Sequence, residues 1–289
     1  MLHTEERYIS LLTDFGFKRI FGTAPNKGLL IDFLNSMFDG EQVVKDVTYL
    51  NSEHVGDVHS DRKAIFDVYC ENEKGEKFIV EMQNASQQYF KDRSLYYATF
   101  PIREQAQKGA EWNYELKHVY VVALLNYNMS EPAFAKDTIN HDVGLLDKQT
   151  HRVFNDKLTF KYVEISKFDK RIEELKTNYD KWLFVLQNLS RLNSQPKYLQ
   201  TAVFTRLFKQ AEIAGFTRTE LREYEDSLKA FRDLRNTLDN AKQEGRAEGR
   251  AEGEKDKAIE IAKNLLEMGM PIDAIMKATG LSSEEVRNI

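Results

Sequence analysis

The feature that most constrains this chain is a pair of apolar segments with period two, Ala64 to Cys70 and Lys77 to Gln83, joined across Asn72-Glu73-Lys74-Gly75-Glu76. Alternation of this kind marks strands with two distinct faces, and the glycine stands where a three-residue hairpin loop wants a positive φ. An antiparallel hairpin with the loop Glu73-Lys74-Gly75 is therefore predicted. It sets Asn72 opposite Glu76 and, counting outward, Asp67 opposite Glu81. Ile65, Asp67 and Tyr69 then share a face with Ile79, Glu81 and Gln83, while Phe66, Val68, Cys70, Phe78, Val80 and Met82 point the other way. Cross-strand neighbours have Cβ atoms about 5 Å apart, so two carboxylates placed there repel unless a proton or cation lies between them. A divalent ion resolves the repulsion. Magnesium prefers carboxylate and water oxygens, polarises a phosphodiester and generates a nucleophilic water. The plainer alternative is an exposed, polar hairpin face.

Around the hairpin the pattern alternates between helix and strand. Thr4 to Met37 reads as helical, with a break at Gly22 to Asn26. Val43 to Leu50 reads as a short strand and Asn51 to Ser60 as a polar loop. Ser86 to Lys108 reads as an aromatic-rich helix closing near Gly109, with Pro101 expected to kink or split it. His118 to Asn126 is a nearly continuous β-prone run, the mark of a strand covered on both faces. Thr150 to Asn155 and Leu158 to Ile165 read as two more strands, and from Lys170 onward the chain is helical. Gln243 to Lys255 repeats glycine, charge and alanine, with Gly245, Gly249 and Gly253 on one helical stripe. The stripe would let two helices approach closely, although each glycine costs about 1 kcal/mol of helix propensity, and a solvated helical linker is the simpler reading. Ala258 to Ile289 is a small amphipathic unit with a capping box at Ser282 and Glu285 and a TGLS turn like half of a helix-turn-helix.

Composition narrows the chemistry. The longest apolar run, Val119 to Leu125, is far short of the roughly 20 residues of a membrane helix, and the start MLHTEERY carries no apolar signal region. A cytoplasmic location without membrane contact is expected. The single cysteine, Cys70, excludes an internal disulfide and a thiolate zinc cluster, and reads as core. Six histidines lack metal-ligand spacing, so any metal would be held by oxygen. Lys and Arg total 41 against 46 Asp and Glu, a formal charge of −5, so the average composition does not argue for nucleic acid. Asp14-Phe15-Gly16 spells the kinase metal-binding tripeptide, but no glycine-rich phosphate loop or His-Arg-Asp loop accompanies it.

Asp67 followed across a hairpin by Glu81-Met82-Gln83 resembles the D…(D/E)-x-K signature of PD-(D/E)XK nucleases. More closely, the chain resembles the Rpn family of recombination-promoting nucleases and transposases. The likeness rests on DFGFKRIFG at 14–22, LLIDFLNSMF, FDVYCENEKGEKFIVEMQ, RSLYY at 93–97, the Gln107-Lys108-Gly109 helix end and the TGLS tail. The resemblance implies that Asp67 and Glu81 bind the metal with the main-chain carbonyl of Met82, that Asp14 supplies an outer carboxylate, and that Gln83 stands where the usual lysine would. A neutral amide cannot supply that lysine's charge to the attacking water or the phosphorane. Lys91 and Arg93 on the following helix are candidate substitutes and candidate DNA contacts. Tyr89, Tyr96 and Tyr97, at helical spacing with Arg93, fit either base stacking or a core.

The expected fold is α/β, a restriction-endonuclease-like mixed sheet flanked by helices, followed by a helical region and a helical C-terminal tail. The nuclease-like core is placed at 1–168, a helical region packed on it at 169–240, a glycine-bearing charged helical linker at 241–257, and a small helical tail at 258–289. The implied activity is magnesium- or manganese-dependent hydrolysis of DNA phosphodiesters by a metal-activated water, in recombination, mobile-element or phage-defence processes. A homo-oligomer is expected, with the C-terminal helix as one dimer contact. The alternatives are a catalytically weak or inactive DNA-binding scaffold and a toxin-like interaction protein whose tail controls assembly.

Overall fold

Period-two alternation around a loop with a single glycine produces the hairpin in the expected register. In the computed structural model, which describes residues 6–54, 64–106, 113–129, 134 and 136–289, strand Val68–Asn72 pairs antiparallel with Lys77–Gln83, Tyr69 facing Ile79 and Glu71 facing Lys77. Gly75 takes φ 76°. Asn72 shapes the turn, its Oδ1 accepting the Lys74 and Glu76 N–H groups, each at 3.0 Å.

The hairpin sits inside a six-stranded sheet. Its strands are β1 (Val47–Tyr49), β4 (Val68–Asn72), β5 (Lys77–Gln83), β6 (Val119–Leu125), β7 (Asn140–Leu146) and β8 (Val153–Glu164), and a separate two-stranded pair joins β2 (Glu53–His54) to β3 (Ala64–Ile65). The spatial order is β1-β4-β5-β6-β8-β7. β5, β6 and β8 run parallel at the centre, and the outer pairings are antiparallel. β6 is buried along its whole length, as its unbroken apolar run requires.

Two apolar layers cover the sheet. On one face the core includes Phe17, Ile20 and Phe21 of α1 (Asp14–Phe21), Leu30 and Phe33 of α2 (Lys27–Phe38), and Trp182 of α4 (Asn178–Asn188). Phe204 of α5 (Ala202–Ala211) and Tyr224 and Leu228 from the start of α6 (Arg218–Glu267) complete it. On the other face Phe90, Ala98 and Phe100 of α3 (Phe90–Glu104) pack over Ile79, Val121 and Phe160. At the end of β8 the fully buried Glu164 accepts from Lys167 Nζ at 2.7 Å, His141 Nε2 at 2.8 Å and the Met129 N–H at 2.8 Å. No helix among the described residues is long and apolar enough to cross a membrane.

Several expectations need correction. The first helix begins at Asp14, not Thr4; Thr4 lies outside the described residues. The segment before Asp14 is tied to residues 211–213 instead, through an Ile9 N–H to Ala211 carbonyl bond at 3.0 Å and an Ile213 N–H to Arg7 carbonyl bond at 3.0 Å. The strand expected at Val43–Leu50 shrinks to Val47–Tyr49, and Glu53–His54, expected as loop, pairs with Ala64–Ile65; the rest of that loop, from 55, lies outside the described residues. Strand pairing is interrupted at Phe66-Asp67 between β3 and β4, which shifts the alternation by one step. Phe66 consequently joins Tyr69 and Ile79 in the α3-side layer, and Ile65 is half exposed. α3 is not split by Pro101: the ring falls in the last turn and the helix runs on only to Glu104; Gly109 lies outside the described residues. The two strands expected between Thr150 and Ile165 are one, β8, and its partner β7 was not foreseen.

Gly16 is required by packing. A Cβ on it would stand 2.1 Å from the Ser10 carbonyl oxygen and 2.8 Å from Thr13 Oγ1, in the turn where Thr13 caps α1 by accepting the Gly16 N–H at 3.1 Å. The tripeptide Asp14-Phe15-Gly16 is thus a helix-start device. Gly16→Ala should lower the melting temperature by about 3–10 °C, the scale of a 1–3 kcal/mol overpacking defect, as read by differential scanning calorimetry.

The chain forms two compact units, meeting in sequence at Phe231 and Arg232. In the second, Ala262 of α6 packs with Ile275 of α7 (Ile272–Thr279) and with Leu281 and Val286, the latter in α8 (Ser283–Arg287). Gly280 closes α7 at φ 75°, and the Ser282–Glu285 capping box opens α8. Gly245, Gly249 and Gly253 lie within α6, and beyond the neighbouring backbone of that helix nothing described comes within 4 Å of where their Cβ atoms would stand.

Candidate active site

The hairpin register brings Asp67 and Glu81 together, each carboxylate accepting from a main-chain N–H of the opposite strand segment. The Asp67 N–H donates to Glu81 Oε1 at 3.2 Å, and the Met82 N–H donates to Asp67 Oδ2 at 2.8 Å. Asp67 lies at the break just before β4, and Glu81 lies near the carboxyl end of β5. Glu81 is not on an exposed polar face: it is only 6% exposed. Its neighbour on β6 is Ala123, whose small side chain leaves room beside the carboxylate.

Burial without a balancing charge shows in the acidities. Desolvation, and then repulsion from Asp67, push Glu81 up to about 8, against the opposing effects of the Asp67 N–H, Arg93 and Gln83. Asp67 is raised as well, first by desolvation and then by the Asp14 charge, although the Met82 N–H and Lys18 pull the other way. Two carboxylates that are both driven toward the neutral acid form a pair lacking positive charge.

The surrounding side chains form a directed chain. Gln83 Nε2 donates to Glu81 Oε2 at 3.1 Å, and Arg93 Nη2 donates to Gln83 Oε1 at 2.7 Å. Arg93 also bonds Gln87 and lies 5.4 Å from the Phe90 ring centroid and 5.7 Å from that of Tyr97, so several groups fix its guanidinium. Asp14, on the first turn of α1, is exposed and paired with Lys18 Nζ at 2.8 Å. Burial lowers the Lys18 pKa, but the Asp14 hydrogen bond and the charges of Asp14, Asp67 and Glu81 outweigh it and leave it raised.

Of the residues singled out from sequence, the structure groups Asp67, Glu81, Met82, Gln83 and Arg93 directly, and the charge of Asp14 acts on Asp67 through space. Lys91 and Tyr96 are exposed on α3, and Tyr89 is exposed just before it, whereas Tyr97 is partly buried. Cys70 is buried in the sheet, and desolvation pushes its thiol up to about 12, so it takes no part.

Sequence reasoning missed three residues. Lys18 senses both carboxylates, and its one signal was the four-residue spacing from Asp14 on a helix. Asn84 and Asn126 had no signal. Asn84 Nδ2 donates to the Leu12 carbonyl at 2.7 Å and Asn126 Nδ2 donates to Asn84 Oδ1 at 3.2 Å, tying the carboxyl ends of β5 and β6 to the turn that launches α1. Among the described residues no three His, Cys, Asp or Glu side chains converge as a metal cage.

The family model described as PD-(D/E)XK nuclease family transposase matches residues 11–241, spanning the sheet, its helices and this carboxylate pair. The chain belongs to that family. A second model, the C-terminal HTH domain of the Rpn/YhgA-like nuclease family, matches residues 255–289. It covers the end of α6 with α7 and α8 and includes the TGLS turn between the last two helices. No curated protein and no solved structure matches the chain. The mixed six-stranded sheet with helices on both faces agrees with the PD-(D/E)XK fold.

Proposed function

We propose that this transposase-family nuclease is a divalent-metal-dependent DNA endonuclease whose cation is held by Asp67, Glu81 and the main-chain carbonyl of Met82. The observation that carries the reading is the pair of bonds from the Asp67 N–H to the Glu81 carboxylate and from the Met82 N–H to the Asp67 carboxylate, which hold two desolvated carboxylates at the carboxyl end of a central parallel strand. This donor set fits a hard cation: it is all oxygen, it carries excess negative charge, and it leaves positions for the waters that magnesium retains. When bound, magnesium or manganese supplies a Lewis acid for the phosphodiester and a nucleophile from water at neutral pH.

The chain's own residues prepare the site. Glu81 is oriented through Oε1 by the Asp67 N–H and through Oε2 by Gln83, so its carboxylate is fixed before substrate arrives. Gln83 carries no charge. Arg93, anchored on it, and Lys18, anchored on Asp14, supply the positive charges that would stabilise a phosphorane. On this reading the nuclease core runs through 168, the helices that support it end with the first compact unit at Phe231, and the tail contributes to DNA binding through its helix-turn-helix. DNA as substrate rests on the family and this tail, and a recombination or mobile-element role rests on the family alone.

Plasmid nicking tests the reading. Purified protein should relax supercoiled plasmid with magnesium or manganese and leave it intact with EDTA, and magnesium should raise the melting temperature by several degrees through mass action on the folded state. Wild-type protein that neither nicks DNA nor is stabilised by either metal would instead be a DNA-binding scaffold.

A further inference from the structure

Tyr97 lies one helical turn beyond Arg93 on α3, and two neighbours engage its ring. Phe66, the residue before Asp67, packs edge to face on it with ring centroids 5.1 Å apart, and the Arg93 guanidinium carbon stands 5.7 Å from its centroid. Its hydroxyl is used differently from those of other tyrosines in the same layer. Tyr69 and Tyr162 spend theirs on Glu104 and on Ser94 Oγ, whereas among the described residues no hydrogen bond engages that of Tyr97, and the side chain is only partly buried. Desolvation first, and then the charges of Glu81 and Asp67, raise its pKa against the pull of Arg93, so the hydroxyl stands within range of all three and keeps its proton at neutral pH. Packing alone does not call for this hydroxyl. A phenyl ring would meet Phe66 and Arg93 equally well, and partly burying a hydroxyl without a protein partner costs stability.

We propose that the Tyr97 hydroxyl is a substrate contact of this site, donating a hydrogen bond to a non-bridging phosphate oxygen of the DNA strand placed over Asp67 and Glu81. The inference rests on the nuclease reading and adds a group that the reading leaves out. A protonated phenol can donate, phosphate oxygens accept, and tyrosine is among the side chains that bond the DNA backbone. Arg93 carries the charge and Tyr97 adds a neutral, directional donor from the next turn of the same helix, so one phosphate group can meet both. A neutral donor also suits the place, because a phenol is partly desolvated at less cost than an ammonium would be. Stacking on a base is the poorer use of the residue, since Phe66 and Arg93 already engage the ring.

Tyr97→Phe tests it, because the variant keeps the ring and removes only the hydroxyl. The full-length protein is titrated in calcium with a single-stranded tetranucleotide, and the amide signals of 66–68 and 81–84 are followed by nuclear magnetic resonance, so that binding at this site is read apart from binding at the tail. The variant should melt as the wild type does, gain the same stability from magnesium and leave the Arg93 Nε–H signal in place. Its Kd at the site should rise about tenfold or more, the scale of a hydrogen bond to a charged group, and magnesium-dependent plasmid nicking should slow at least as much. An unchanged Kd, a loss accompanied by a shifted Arg93 signal, or wild-type site amides that do not respond to the tetranucleotide would overturn the contact. The two readings fail separately. A wild type that nicks plasmid with Tyr97→Phe its equal keeps the nuclease and drops the contact, whereas a wild type that never nicks but binds the tetranucleotide through the hydroxyl keeps the contact and drops the nuclease.

Discussion

Glu81→Gln should abolish metal-dependent cleavage, lowering turnover by about a thousandfold or more, while making the metal-free protein more stable. Both effects come from one carboxylate. Desolvation and the nearby Asp67 hold Glu81 at about 8 against its ordinary 4.5, so in EDTA the folded state binds more protons than the unfolded chain between those values. Stability must then fall as pH rises from 4.5 to about 8, and level off above. A neutral amide at this position removes that slope. The gain at pH 8 is on the order of 1–4 kcal/mol, less than the full 1.4 kcal/mol per pKa unit because such sites relax and admit water. Differential scanning calorimetry in EDTA should show the variant melting roughly 3–10 °C above the wild type at pH 8 and close to it at pH 4.5. Magnesium should stabilise the wild type and leave the variant unmoved. Asp67→Ala should lose cleavage to a similar extent, but it also deprives the Met82 N–H of its acceptor, so its metal-free stability gain should be smaller. An active Glu81→Gln, or one that melts below the wild type at pH 8, would reject the proposed carboxylate pair.

What could be read from the residues follows the range of the forces involved. The hairpin register was legible because local turn chemistry sets it: Asn72 and Gly75 fix the loop, and strand alternation then carries Asp67 to Glu81. β6 was legible because burial on both faces demands an unbroken apolar run. β7 was not, since Asn140, His141, Asp142 and Gly144 carry no strand pattern; the strand is held by β8 and by pairs such as Asp142 with Lys161 Nζ at 2.8 Å. The facing of Ile65 and Phe66 was misread because the irregular step at Asp67 depends on tertiary partners, including the Phe66 N–H bond to the Ser52 carbonyl at 3.0 Å. Lys18 and Asn84 escaped for the same reason. Lys18 meets the carboxylates, and Asn84 the Leu12 carbonyl, only once α1 is docked against the end of β5, a long-range event with no local period.

The position of Gln83 leads to the second large effect. Arg93→Ala should reduce single-turnover cleavage by about 10²–10³, the scale of losing one fixed donor to a developing oxyanion. A glutamine at 83 can donate to Glu81 and accept from Arg93 at once; a lysine can only donate. Gln83→Lys alone should therefore slow the reaction, because it breaks the bond to Arg93 and sets an ammonium against a guanidinium. In the Arg93→Ala background the same substitution should help, since the repulsion is gone and a positive charge returns beside Glu81. The double variant is expected to cleave at least about tenfold faster than Arg93→Ala, a non-additivity of about 1.4 kcal/mol or more in activation free energy beyond the separate effects. Conservative Arg93→Lys should rescue little, because the guanidinium's several donors join Gln83 and Gln87 in one plane while an ammonium holds no fixed geometry. If the double variant is no faster than Arg93→Ala, the charge needed for phosphodiester cleavage does not come from this position. Lys18, the other cation that senses both carboxylates, then becomes the residue whose removal should silence the site.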